Sequence, residues 1–193
     1  MSSEHQLTEL LPLIKLDEYI SFDLETTGLN PNIDRITEIS ACRFINGEFS
    51  EEFTSLINPG IPIPKNIIAL TGITNNMVKD APIISDVLPD FLVFIGTTPL
   101  VGHNIDFDYT FISKYTASTD LILPKSPLYD TLSLARSFIY FHNSFSLGSL
   151  CDYYGIKIEN AHRAGADALC TGELFLCLIK EVLSRPISLL QRI

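Results

Sequence analysis

Apolar and polar positions alternate in three blocks near the start of the chain. Residues 19–24, Y-I-S-F-D-L, form an apolar run broken by single polar residues, the pattern of a strand inside a sheet. The T-T-G that follows suits a turn, with Gly28 as its glycine. Residues 36–45 and 48–57 predict two more strands, joined at Asn46-Gly47, the strongest short-range hairpin signal. The period then changes. Residues 58–64, N-P-G-I-P-I-P, read as an extended Pro-rich connection, and helical spacing recurs near 65–70 and 75–79. Residues 83–95 predict a longer helix, with Pro89 as the point where it splits or kinks.

Short strands and helices alternate from there on. Residues 99–101 predict a strand, followed by G-H-N and a helix over 106–115. Leu128 and Tyr129 predict a brief strand before a helix that starts at Asp130 or Thr131. Another helix covers 146–154, with Ser146 as its N-cap and Gly155 just past its end. Residues 164–183 predict a long, mostly buried C-terminal helix. Three strands with a hairpin, then helices alternating with strands, predict an α/β fold: a mixed β-sheet flanked by helices. A length of 193 residues fits a single domain over 19–183. An amphipathic lead-in, 1–18, precedes it, and a tail, 184–193, follows.

Composition narrows the function classes. An apolar fraction of 46% with 19% charged residues is ordinary for a globular protein. No uncharged apolar run is long enough to span a bilayer. The N-terminus has no basic region, and Pro12 interrupts its apolar patch, so it does not read as a signal peptide. A cytoplasmic location is the expectation. Cys42, Cys151, Cys170 and Cys177 show no C-x-x-C pair and no zinc spacing, which predicts free core thiols. Cys170 and Cys177 are spaced to share one buried helix face. The net charge of −10 argues against an extended basic groove for nucleic acid.

Acids collect where strands end. Asp23 and Glu25 sit two apart in the first strand, so both carboxylates face one side, in a place where a lone charge is costly. Sites in α/β sheets form at the carboxyl ends of strands. The segment G-H-N-I-D-F-D occupies another strand end and offers Asp106 and Asp108. On a helix these two point about 200° apart, so one of them at most faces a common cleft. In A-H-R-A-G-A-D-A-L, His162 and Asp167 lie about 140° apart on a regular helix. They share a site only if His162 comes from a loop or a frayed first turn, with Asn160 as a candidate N-cap. Carboxylates crowded in this way are tolerable around divalent cations, and oxygen-only ligands favour Mg²⁺ or Mn²⁺. Two such ions suit phosphodiester hydrolysis, and a histidine suits removal of the water's proton. They would also offset the four site carboxylates and ease the charge problem. Asp130, at a strand-to-helix junction, reads as an N-cap rather than a fifth ligand, and alternation leaves the direction of Glu38 open.

Three segments together resemble the DnaQ-like 3′→5′ exonucleases of the DEDDh type. D-x-E-T-T-G-L appears at 23–29, H-N-x-x-F-D at 103–108 and H-x-x-x-x-D at 162–167. Residues 58–78 and D-T-L-S-L-A-R at 130–136 are similar to the proofreading branch, the epsilon subunit and PolC-type exonuclease domain of bacterial DNA polymerase III. The resemblance implies an RNase H-like sheet. It selects Asp108 over Asp106 and implies Asp23, Glu25, Asp108 and Asp167 as ligands of two divalent ions, Mg²⁺ or Mn²⁺, with His162 as general base. Thr26, Thr27, Gly28, Leu29, His103, Asn104 and Phe107 are the implied substrate-binding residues, Leu29 or Phe107 packing on a base. The implied activity is hydrolysis of single-stranded or frayed DNA from its 3′ end to nucleoside monophosphates, in proofreading or repair, with a DNA polymerase subunit as a possible partner. Two alternatives stand beside it. One is an exoribonuclease of the RNase T or oligoribonuclease kind. The other, from a different class, is a non-catalytic module associated with a polymerase or helicase.

Overall fold

The structure, a computed structural model, describes residues 11–140, 142–158 and 162–184. The lead-in up to residue 10, the Asn160 cap and the tail from 185 lie outside them. Three long strands come first: β1 (Glu18–Thr26), β2 (Ile36–Ile45) and β3 (Glu48–Leu56). Asn46 and Gly47, at φ 55° and 83°, make the β2–β3 turn with left-handed backbone at both positions, as the Asn-Gly pair requires. Two short helices, α1 (Lys65–Thr71) and α2 (Asn75–Val78), precede α3 (Ile84–Ile95). Then follow β4 (Leu100–Gly102), α4 (Ile105–Ala117), β5 (Leu128–Asp130), α5 (Thr131–Phe138), α6 (Leu147–Tyr154) and α7 (Ala164–Ser184).

The five strands form one mixed sheet in the order β3-β2-β1-β4-β5. β1, β2 and β3 run antiparallel, whereas β4 pairs parallel with both β1 and β5. The expected α/β architecture is therefore present. The expected break in α3 is not. Pro89 lies inside a continuous helix, although it removes one backbone donor. Val87, Leu88, Phe91, Leu92 and Ile95 are all buried from that helix, and this packing holds it together across the missing bond.

Alternation along β1 divides the core. Ile20, Phe22 and Leu24 point to one face and pack with Phe91 of α3 and Phe111 of α4. Tyr19 points to the other, where it stacks on Phe44 at 5.0 Å and meets Phe175 of α7 edge-on at 5.2 Å. Each buried aromatic of this kind contributes about 1.5–3 kcal/mol. α7 approaches this second face closely. Tyr19 Oη donates to Gly172 O (3.1 Å) and Ser21 Oγ to Ala168 O (2.6 Å). A Cβ on Gly172 would lie 2.1 Å from the Phe44 ring, so only glycine allows the contact. All four cysteines are free; Cys170 is buried and Cys177 half-buried.

Candidate active site

The next two side chains of β1 on the α7 face are Asp23 and Glu25, since Tyr19, Ser21, Asp23 and Glu25 share the strand's period. The small residues Ala164, Gly165, Ala166 and Ala168 let the start of α7 rest against the sheet. That contact carries Asp167 to the strand's end. Oxygen atoms of Asp23, Glu25 and Asp167 lie within 4.8 Å of one another.

Asp108 arrives from the opposite face. Ile20 N–H donates to Pro99 O just before β4, and β4 pairs only with Ile20 and Ser21. Leu24 N–H, aimed the same way four residues on, has run past the end of β4. It donates to Asp108 Oδ1 instead (3.1 Å). Asp108 is 4% exposed, while Asp106 faces solvent. The helix geometry therefore separates the two acids as their spacing required.

His162 precedes the first residue of α7 by two positions, in the loop that the spacing to Asp167 demanded. Its backbone is left-handed (φ 64°), and its N–H donates to Asp167 Oδ2 (3.1 Å). The imidazole is exposed. The structure thus brings together Asp23, Glu25, Asp108, Asp167 and His162 from three chain segments.

Electrostatics mark the cluster as under-compensated. Burial, then repulsion from Asp108, Glu25 and Asp167, holds Asp23 well above the usual carboxylate range. Burial pushes Glu25 up to about 8, reinforced by Asp167, Glu38 and Asp108 and opposed by Arg163. Asp108 is raised by burial despite the bond from Leu24, and Asp167 is raised by burial despite the bond from His162. Among the described residues Arg163 opposes this repulsion only in part, so the cluster favours the protonated form of its acids. Clustered hard oxygen donors with this excess of charge fit a divalent cation.

The turn after β1 is built more tightly than its sequence implied. Thr26 Oγ1 donates to Gly28 O (2.7 Å), and Thr27 Oγ1 donates to Asp34 Oδ1 (3.1 Å) while accepting from Arg35 N (3.0 Å). Asp34 Oδ2 accepts from Asn30 N (2.9 Å). A Cβ on Gly28 would sit 2.6 Å from the Asp34 carboxyl carbon and both its oxygens. Close approach, not a positive φ, requires glycine there. Leu29 projects from this turn, 81% exposed.

The other expected substrate contacts divide. His103 is engaged at both ring nitrogens, Nδ1 with Thr131 Oγ1 (2.9 Å) and Nε2 with Phe145 O (3.0 Å). Asn104, at φ 67°, gives its backbone N–H to Asp130 Oδ1 (2.7 Å) and leaves its side chain at the surface. Phe107 is half-buried against Phe111, ring centres 5.2 Å apart. Asp130 caps α5 through Leu132 N and Ser133 N. Burial raises its pKa, but hydrogen bonds from Ser133, Asn104 and Leu132 outweigh this and leave it below the ordinary value. Sequence reasoning missed the role of Asp34 and left Glu38 undirected. Glu38 is buried beside the cluster and is held by Arg163.

Comparison with known proteins finds exonucleases and DNA polymerases III. An exonuclease family model, RNase_T, matches residues 20–175. The PolC-type DNA polymerase III of Clostridium perfringens is 40% identical over 166 residues, 86% of this chain but 11% of that protein. The chain therefore spans about a tenth of the length of the PolC-type relatives it matches. The DNA polymerase III epsilon subunit of Aquifex aeolicus is 36% identical over 85% of this chain and 81% of its own length. Among solved structures, exonuclease X in complex with 5′ overhanging duplex DNA superposes with a TM-score of 0.69 at 26% identity, covering 83% of this chain and 90% of that one. Escherichia coli exonuclease I in complex with a dT13 oligonucleotide shares the fold, with a TM-score of 0.75 at 20% identity over 91% and 43% of the two chains.

Proposed function

The chain belongs to the RNase_T exonuclease family, and on that premise we propose that it removes nucleotides from the 3′ ends of single-stranded or frayed DNA. The products are nucleoside monophosphates. The observation that carries this reading is the meeting of Asp23, Glu25 and Asp167 oxygens within 4.8 Å, with Asp108 buried against the same strand end. Asp23, Glu25, Asp108 and Asp167 would hold two Mg²⁺ or Mn²⁺ ions. Bound there, the ions supply Lewis-acid activation of water and stabilisation of the leaving oxygen.

The chain's own residues do the rest. Cations would relieve the repulsion that raises Asp23 and Glu25 and so favour their ionised form. His162, exposed and backbone-tied to Asp167, offers a ring nitrogen to take the attacking water's proton. The hydrogen-bonded Thr26–Leu29 turn would present Leu29 to the terminal base, and the half-buried Phe107 is a second candidate for that contact. His103 and Asp130 fix the turn that begins α4 and so hold Asp108 at its depth.

The net charge of −10 disfavours phosphate binding, so a weak grip on a long strand is expected. A polymerase partner would supply it, consistent with the relatedness to DNA polymerase III exonucleases. Among the described residues no helix is long and apolar enough to cross a membrane. The substrate is tested with matched DNA and RNA oligonucleotides of one sequence, in Mg²⁺, Mn²⁺ or EDTA. Faster mononucleotide release from DNA supports the reading. Degradation of RNA alone replaces it with the exoribonuclease function.

A further inference from the structure

Glu38 and Arg163 lie beside the proposed chemistry and have no part in it so far. Glu38 sits in β2 directly opposite Glu25, and its side chain is 4% exposed. A carboxylate this deep, next to a cluster of like charge, persists only where donors saturate it. Three do so. Arg163 Nε donates to Oε2 (3.0 Å), Arg163 Nη2 to Oε1 (2.5 Å) and Ala164 N to Oε2 (3.0 Å). All three donors come from two consecutive residues, Arg163 and Ala164. One side chain of the sheet thus fixes the first residue of α7 and the residue before it.

The next residue back is His162, whose left-handed backbone is uncommon for any residue other than glycine. Such a conformation persists only where its surroundings hold it. Here two contacts hold it. His162 N–H is bound to Asp167 ahead of it in sequence, and the following residue is anchored to β2. The Arg163 fork grips Glu38 at two points, which fixes orientation as a single ammonium contact does not. Among the described residues Arg163 makes its ion pair with Glu38 and with neither Glu25 nor Asp167.

We propose that Glu38 and Arg163 are positioning residues for the reaction. Their two-point fork holds His162 in its left-handed conformation beside the carboxylates. The inference rests on the exonuclease reading above, because His162 acts as the base within it.

The test uses the full chain and four variants, Glu38→Ala, Arg163→Ala, Arg163→Lys and the double alanine. For each, kcat and KM are measured on a 5′-labelled single-stranded DNA, Mn²⁺ affinity by electron paramagnetic resonance, and folding by circular dichroism. Each single alanine lowers kcat about 10–100-fold, while KM and Mn²⁺ affinity stay within about threefold. The double variant is no worse than the worse single one, because the two act as a unit. Arg163→Lys, which keeps the charge and loses the fork, remains impaired. Should the alanine variants not fold, Glu38→Gln keeps the shape and one acceptor, and the same loss of kcat is expected from the folded protein. Wild-type kcat in any folded Glu38 variant, full recovery in Arg163→Lys, or a loss confined to KM or Mn²⁺ affinity overturns the proposal while leaving the exonuclease reading intact. Absence of cleavage by the wild type overturns both.

Discussion

The two ends of β1 handle charge in opposite ways. At its beginning, Arg43 of β2 donates to Glu18, to Glu51 (2.6 Å) and to Phe94 O (2.6 Å), and lies over the Phe94 ring at 4.9 Å. Arg43, Glu18 and Glu51 are all paired there. At its end, Asp23 and Glu25 meet Asp167 and Asp108, and the one neighbouring guanidinium is taken up by Glu38. The first arrangement stabilises the fold. The second works against it, and natural proteins keep such costs where function needs them. On the function proposed above, the carboxyl end of β1 is the place where compensation arrives from outside, as cations.

The comparison is broken most directly at Asp23. Asp23→Ala removes several kcal/mol of transition-state stabilisation, about a thousandfold in rate. It also removes repulsion, so the metal-free variant melts at or above the wild-type temperature. A variant that loses activity because it melts lower would place Asp23 with the structural charges. Gly28→Ala comes next. Its methyl group meets the Asp34 carboxyl, the turn shifts, and kcat/KM falls about 10–100-fold with little change in melting temperature.

The pH dependence sharpens the contrast. Glu25 and its neighbours have folded-state pKa values above their unfolded ones. The folded chain therefore holds more protons than the unfolded chain between about pH 4 and pH 8, and metal-free stability falls as pH rises through that window. Calorimetry without divalent ions should show a higher melting temperature at pH 6 than at pH 8, with Mn²⁺ restoring more at pH 8. Asp130 behaves in reverse: its depressed pKa gives stability that is present above the ordinary carboxylate pKa and lost in strong acid. The smallest effect is expected at the other end of β1. Arg43→Met costs about 1 kcal/mol by denaturant titration, because Glu18 and Glu51 are partly solvated, and leaves turnover unchanged.

Much of this was legible in the sequence, for reasons that can be named. Alternation in β1 placed Asp23 and Glu25 on one face, and the helix period separated Asp106 from Asp108. Asn46-Gly47 and the caps Ser146 and Asp130 are local signals with local outcomes. Other features depend on partners distant in sequence. β2 is buried on both faces, so its pattern gave no direction for Glu38, whose role depends on Arg163, 125 residues away. Gly28 read as a turn residue, but its neighbour is a carboxylate folded back across the loop. The continuity of α3 across Pro89 comes from five buried side chains that outweigh one lost bond. The small residues around Asp167 are explained by the close contact of α7 with β1.

The central claim is that the carboxylates at the end of β1 form the catalytic metal site. It is tested most directly by following a 5′-labelled single-stranded DNA with the wild-type chain and with Asp23→Ala, each in Mn²⁺ and in EDTA. The account predicts stepwise shortening from the 3′ end by the wild type in Mn²⁺ alone, and none by Asp23→Ala under either condition. Shortening by folded Asp23→Ala at the wild-type rate, or by the wild type in EDTA, would contradict it.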